Sequence, residues 1–187
     1  MLSEPIVLLC SFVVKKLLIL LHMKTLLLVR HAKTEADSKT GKDIDRLLAE
    51  RGHKDAIAMA HYLVNQKIQI DVLITSTAKR AVETTGHFYK AYKAGGVKLI
   101  EKPELYNAVP ATYYTVIENL SNDYKRAALF AHNPGITDIA NELNVAHVDD
   151  MSTCAVFAVT ANTTDWKDFS KAEKRFLFFH SPKTLEG

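Results

Sequence analysis

The sequence predicts an α/β protein, a three-layer α/β/α sandwich around a mostly parallel central sheet. Three observations carry this expectation. Short apolar runs alternate with longer runs of helical spacing, the pattern of successive strand–helix units. The first run, 25–29, reads Thr-Leu-Leu-Leu-Val without a polar break, as in a strand buried on both faces. The chain has 187 residues, enough for one domain with a full core.

The elements follow in order. Three more apolar runs, 71–75, 97–100 and 127–131, read as strands. Residues 52–66 place Ala56, Ile57, Ala60, Leu63 and Val64 at helical spacing. Residues 79–92 place Val82, Thr85, Phe88, Tyr89 and Tyr92 near one side of a second helix, which Gly95-Gly96 ends. A shorter helix is expected over 112–120. Asn133-Pro134 opens another, with Asn133 as N-cap and Pro134 as its first residue. Residues 155–160 and 174–179 predict a closing hairpin, with the polar stretch 162–165 between them. No repeat, low-complexity run or linker divides the chain.

Composition narrows the function classes. Hydrophobic residues are 48% and charged residues 24%, which excludes a disordered or collagenous chain. The net charge of +3, from 24 basic and 21 acidic residues, is too small an excess to predict a nucleic-acid partner. The two cysteines, Cys10 and Cys154, form no C-x-x-C motif, so zinc-ribbon and thioredoxin readings fall away. A reducing, cytoplasmic setting fits. Residues 1–22 are more apolar than the rest. Lys15 and Lys16 interrupt the run, and Glu4 stands where a signal peptide wants positive charge. They read as an N-terminal extension, or a mis-assigned start, before a domain over 23–187. A membrane role is not expected.

In open α/β sheets the ligand site lies beyond the carboxyl ends of the strands. Arg30 and His31 follow the first strand. Ser76 to Arg80 follow the second. His132 and Asn133 follow the fourth. Two arginines and two histidines therefore converge on one edge. Guanidinium groups so close repel each other unless an anion lies between them, and their forks match phosphate oxygens. Arg80 in a first helical turn opposes the helix dipole, which again points to a bound anion. His132 lies just before a helix start, where negative charge is favoured. A neutral histidine in such a pocket can attack phosphorus and carry the phosphoryl group on its ring. Catalysis is then mainly positioning and electrostatics. No cofactor or metal is expected: Asp149-Asp150 lacks metal-site spacing. Of the remaining polar residues, His53, His61, His87 and His147 read as surface or helix-face residues. His180 reads as outside the pocket, Cys154 as a buried small hydrophobe and Trp166 as partly exposed. Residues 34–48 read as a mobile loop at the pocket rim.

Four ordered segments then carry a family resemblance. They are L-V-R-H-A-K-T at 28–34, D-R-L-L-A-E-R-G at 45–52, S-T-A-K-R-A-V-E-T at 76–84 and A-H-N-P-G at 131–135. E-L-Y at 104–106 is a weaker fifth. Together they resemble the histidine phosphatase superfamily in its short, SixA-like phosphohistidine phosphatase branch, over about residues 23–180. The resemblance implies a phosphoglycerate mutase-like fold without a cap domain. It implies that His31 is the phosphate-accepting nucleophile and that Arg30 and Arg80 hold phosphate oxygens. His132 would hydrogen-bond the phosphoryl group in the transition state, and Arg46 would stand on the pocket rim. Ser76 and Asn133, within the matched motifs, are further substrate-binding candidates. Two departures stand out. Leu47 replaces a proline, which loosens the placing of Arg46. Ala131 replaces a glycine, which is strained only if its φ is positive.

An ester leaving group needs a proton, and a carboxyl of raised pKa can give one. Glu104 is the candidate donor, with Glu35 and Asp43 beside it. Only about fifty residues separate Arg80 from His132, too few for a cap, so the pocket should be open. An open pocket suits a phosphate borne on a protein. The expected reaction is hydrolysis of phosphohistidine on a phosphoprotein. The alternatives are a phosphomonoesterase on other phosphates and a phosphate-binding module without turnover. The oligomeric state is left open.

Overall fold

The computed structural model describes residues 23–185; the 1–22 extension lies outside the described residues. Six strands form one sheet: β1 (Lys24–Arg30), β2 (Val72–Thr75), β3 (Lys98–Glu101), β4 (Arg126–Ala131), β5 (Val156–Ala161) and β6 (Lys174–His180). Their order is β3-β2-β4-β1-β5-β6. The four strands from β3 to β1 run parallel. The last two are antiparallel, β5 against β1 and β6 against β5. Among the described residues, four helices complete the layers: α1 (Glu50–Asn65), α2 (Lys79–Tyr92), α3 (Pro110–Glu118) and α4 (Gly135–Glu142).

Strand alternation sends side chains to opposite faces, so the apolar run of β1 feeds two cores. Leu27 and Val29 pack with Ala56, Met59, Ala60 and Leu63 of α1 and Phe88 and Tyr92 of α2. Leu26 and Leu28 pack on the other face with Tyr113, Val116 and Ile117 of α3 and Ile136, Ile139 and Ala140 of α4. This is the expected three-layer sandwich. Among the described residues, no helix is long and apolar enough to cross a membrane.

Details differ from the sequence expectation. Ile57, Val64 and Tyr89 are exposed. Each follows a buried residue, Ala56, Leu63 or Phe88, and one step of about 100° turns it off the core stripe. Trp166 is fully buried rather than partly exposed. Its indole N–H donates to the Tyr124 carbonyl at 2.8 Å, which satisfies its polar end. Asn133 does not cap α4. The helix starts at Gly135 after Pro134, and the Asn133 side-chain oxygen accepts from the Thr137 hydroxyl instead, at 2.8 Å. Gly135 is required here: a Cβ at this position would collide with the Ala108 carbonyl oxygen.

Candidate active site

The carboxyl ends of β1, β4 and β2 lie side by side, so the residues after them meet. Arg30 is in register with Ala131, and the His31 amide donates to the Ala131 carbonyl at 3.0 Å. His31 and His132 therefore emerge together, with ring centroids 5.2 Å apart. They share a cleft of about 370 Å³ with Arg30, Lys33, Thr34, Asp43, Arg46, Arg80, Asn107, Asn133 and Thr153.

The tautomer of His31 follows from its partner. Nδ1 lies 2.8 Å from the Ala32 carbonyl oxygen. A carbonyl only accepts, so Nδ1 carries the proton and Nε2 keeps its lone pair. Burial pushes the His31 pKa down to about 4. The Ala32 hydrogen bond opposes this, and the charges of Arg80, Arg30 and Arg46 reinforce it. The ring is neutral at ordinary pH, with one nucleophilic nitrogen.

His132 has the complementary tautomer. Arg80 Nε donates to its Nδ1 at 3.2 Å, so the proton sits on Nε2. That N–H donates to the Ser76 hydroxyl oxygen at 2.8 Å, which also accepts from the Ala78 amide at 3.3 Å. Burial first, then His31 and Arg80, push the His132 pKa down to about 3.

Each of the two arginines is braced by an aspartate, Asp150 for Arg30 and Asp43 for Arg80. Arg30 Nη1 donates to Asp150 Oδ2 at 3.3 Å and to the Met151 carbonyl. Arg30 Nε is buried without a hydrogen-bond partner. The fork formed by Nε and Nη2 is the edge that matches two oxygens of a phosphate. Arg80 is 5% exposed. Its Nη1 donates to the Asp43 carbonyl at 2.7 Å and its Nη2 to Asp43 Oδ2 at 2.8 Å. Each Nη retains a second N–H for an anion.

Residues 34–48, expected to be a mobile rim, are tied down at several points. Thr34 bridges to Leu48. Arg46 donates to the Thr34 hydroxyl at 2.6 Å, to the Glu35 carbonyl at 3.1 Å and to Asp43 Oδ1 at 3.3 Å. Lys79 pairs with Asp45 at 2.9 Å. Leu47, in place of proline, leaves Arg46 anchored by its own donors. Ala131 is unstrained, because it is not among the non-glycine residues with positive φ.

The structure brings Arg30, His31, Arg46, Arg80, His132 and Asn133 into one cleft. Two candidates fall elsewhere. Ser76 is fully buried behind His132, where it orients that ring and does not line the cleft. Glu104, the candidate proton donor, is exposed on the turn Pro103–Leu105 and pairs with Lys102 at 3.5 Å. That turn spends Leu105 on the core, and Tyr106 rather than Glu104 reaches the site. The Tyr106 hydroxyl donates to Asp43 Oδ2 at 3.0 Å, and its ring stands edge-on to His132. His180 lies against Tyr62 and Phe178, outside the cleft. Sequence reasoning missed Asp150, which holds both Arg30 and the Asn133 amide, and the bracing role of Asp43. Neither sits in a periodic segment, so no spacing signal marks them.

Residues 26–108 match the sequence model of the histidine phosphatase superfamily, branch 1. The chain is similar to that superfamily over this stretch. The 2,3-bisphosphoglycerate-dependent phosphoglycerate mutases of Bartonella tribocorum and Mesorhizobium japonicum are 34% and 35% identical to it over 86 residues. Each match covers 44% of this chain, and the chain spans 41% of the length of these mutases. The fold match is broader. A SixA-type structure from Nakamurella multipartitia covers 86% of this chain and 96% of its own, with a TM-score of 0.74 at 19% identity. The protein histidine phosphatase SixA complexed with tungstate covers 86% and 99%, with a TM-score of 0.72 at 21% identity. The structural likenesses show a phosphoglycerate mutase-like fold, with no added cap domain among the described residues.

Proposed function

We propose that this protein is a histidine phosphatase that hydrolyses phosphohistidine on a protein through a phosphorylated His31. One observation carries the reading. A neutral histidine presents a free Nε2 beside two braced arginines, one of which has a buried donor without a protein partner. A phosphoryl group supplies what that arrangement lacks. Its oxygens accept from the Arg30 fork and from the remaining Arg80 N–H groups, while Nε2 approaches phosphorus in line.

The chemistry balances with few groups. A phosphoimidazole protonated on its distal nitrogen transfers its phosphoryl group to His31 Nε2. The P–N bond breaks with its electron pair on the departing ring, which leaves neutral. Water then attacks phosphorus, the pair of the His31 N–P bond returns to Nε2, and dihydrogen phosphate leaves with both water protons. The arginines stabilise charge on the equatorial oxygens in both steps. Such a substrate brings its own proton. That agrees with Glu104 standing outside the cleft.

The protein-borne substrate is favoured by an uncapped site. Residues 93–125 between α2 and β4 are used by β3, α3 and their turns, and they contribute Asn107 to the cleft lining. The likeness to a SixA bound to tungstate, a tetrahedral oxyanion, supports the same reading. A cytoplasmic setting suits Cys154, a buried free thiol. Residues 23–187 are proposed to be one histidine phosphatase domain.

The test is phosphate release from a histidine-phosphorylated carrier domain in EDTA, for wild type and His31→Ala. Release that vanishes in the variant supports the proposal. Turnover of aryl phosphate with none of phosphohistidine would replace it with a phosphomonoesterase. Phosphate binding without turnover of either would leave a binding module.

A further inference from the structure

Asp43 is the one carboxylate among the residues that line the cleft. It sits on the short turn Asp43–Asp45 of the rim. Asp43 is exposed, whereas His31 is buried. His31 therefore lies at the floor and Asp43 at the mouth. In-line displacement puts the leaving atom on the side of phosphorus away from the nucleophile. Here that side faces the mouth, where Asp43 stands.

Asp43 is fixed there by charge. Arg80 Nη2 reaches Oδ2 at 2.8 Å, Arg46 Nη1 reaches Oδ1 at 3.3 Å, and the Tyr106 hydroxyl donates to Oδ2 at 3.0 Å. His132 faces the same carboxylate from the end of β4. Burial works against ionisation, but the hydrogen bonds from Arg80, Tyr106 and Arg46 and the Arg80 charge hold the carboxyl below its usual range. A carboxyl kept ionised is a poor proton donor. It is a good partner for a cation.

We infer that Asp43 is a specificity-determining residue: its carboxylate selects leaving groups that carry positive charge before the P–N bond breaks, and disfavours those that depart as oxyanions. The inference rests on the phosphatase reading above. A phosphoimidazolium loses its positive charge as it leaves, and its distal N–H can face the carboxylate. An ester oxygen gains negative charge as it leaves, and meets a like charge. An opposite charge within about 4–6 Å shifts a pKa by roughly 1–3 units. Asp43 therefore keeps the bound imidazole protonated to higher pH.

The experiment compares wild type with Asp43→Asn on two probes, a peptide bearing 3-phosphohistidine and p-nitrophenyl phosphate. The expected result is a fall of about tenfold or more in kcat/KM for the peptide and a smaller fall for the ester, so that the ratio of the peptide rate to the ester rate drops. The alkaline limb of the peptide profile moves to lower pH in the variant. Inhibition by inorganic phosphate, which reports whether Arg80 still stands in place, is retained or strengthened. Asp43→Glu restores part of the peptide rate. Equal losses on both probes, with weakened phosphate inhibition, would reduce Asp43 to a structural brace and overturn the inference. An unchanged ratio of the two rates would also overturn it. Wild type inert on both probes would remove the phosphatase reading itself.

Discussion

The two ends of the parallel sheet treat buried cations in opposite ways. At the amino end, Lys24 is buried and donates to the carbonyls of Asn122 and Tyr124 at 2.9 and 2.8 Å. Its ammonium also lies over the Trp166 ring. Arg126 beside it is matched by Asp71, with contacts at 2.7 and 3.3 Å, and by Gln69. At the carboxyl end, Arg30 is held by Asp150 but keeps a buried Nε without a partner. His31 and His132 are held neutral. Burial costs both ends desolvation of charge. One end recovers it from the protein itself, and the other leaves room for an anion to do so. Function follows from incomplete satisfaction, not from the number of charges.

This contrast can be broken most sharply at His31. His31→Ala should lower phosphohistidine turnover by roughly 10³-fold or more, read by phosphate release, while folding is retained. A residual rate near wild type would mean that another group accepts the phosphoryl. Next comes the fork: Arg30→Ala should cost about 10²–10³ in kcat and should also weaken vanadate inhibition. If only one of these moves, Arg30 holds ground state and transition state differently.

A smaller effect is expected behind the cleft. Ser76→Ala leaves the His132 Nε2–H without its acceptor, at a cost of about 1–3 kcal/mol in stability and a lesser fall in kcat. Urea midpoints and turnover together measure it. Acidity acts through the same histidines. Their folded pKa values, about 4 and 3, lie below the ordinary 6.5. Between these values the unfolded chain binds more protons, so their contribution to stability falls as pH drops from about 6.5 towards 4. Phosphoryl transfer should fall as pH passes below about 4, where His31 protonates and Nε2 loses its lone pair. The smallest effect on catalysis belongs to the amino end. Trp166→Ala should remove about 3–5 kcal/mol of stability, yet leave kcat per folded molecule unchanged. A specific loss of kcat there would show that the two ends are coupled.

Much of the fold was legible because periodicity reports it. The uninterrupted apolar run of β1 announced burial on both faces, and 79–92 announced α2 with matching bounds. The misreadings came where one residue's angle decides. Ile57 and Val64 fit the helical period but fall just off the stripe. Asn133 looked like a cap, yet its side chain turned to Thr137. The four motif residues of the candidate site were legible because each lies at or shortly after a strand end, and neighbouring strands bring such ends together. Asp150 was not, because it belongs to an irregular stretch whose path is set by what it packs against. Glu104 failed for the opposite reason. Its place after β3 was right, but the turn spends its neighbours inward and leaves it in solvent.

The depth of His31 imposes an order of events. The ring is buried in the cleft, so in the proposed reaction the departing group occupies the path that water later takes. In the proposed reaction the carrier therefore has to leave before hydrolysis can begin. That reading predicts ping-pong steady-state kinetics, with the lifetime of the phosphorylated protein set by how quickly its partner dissociates.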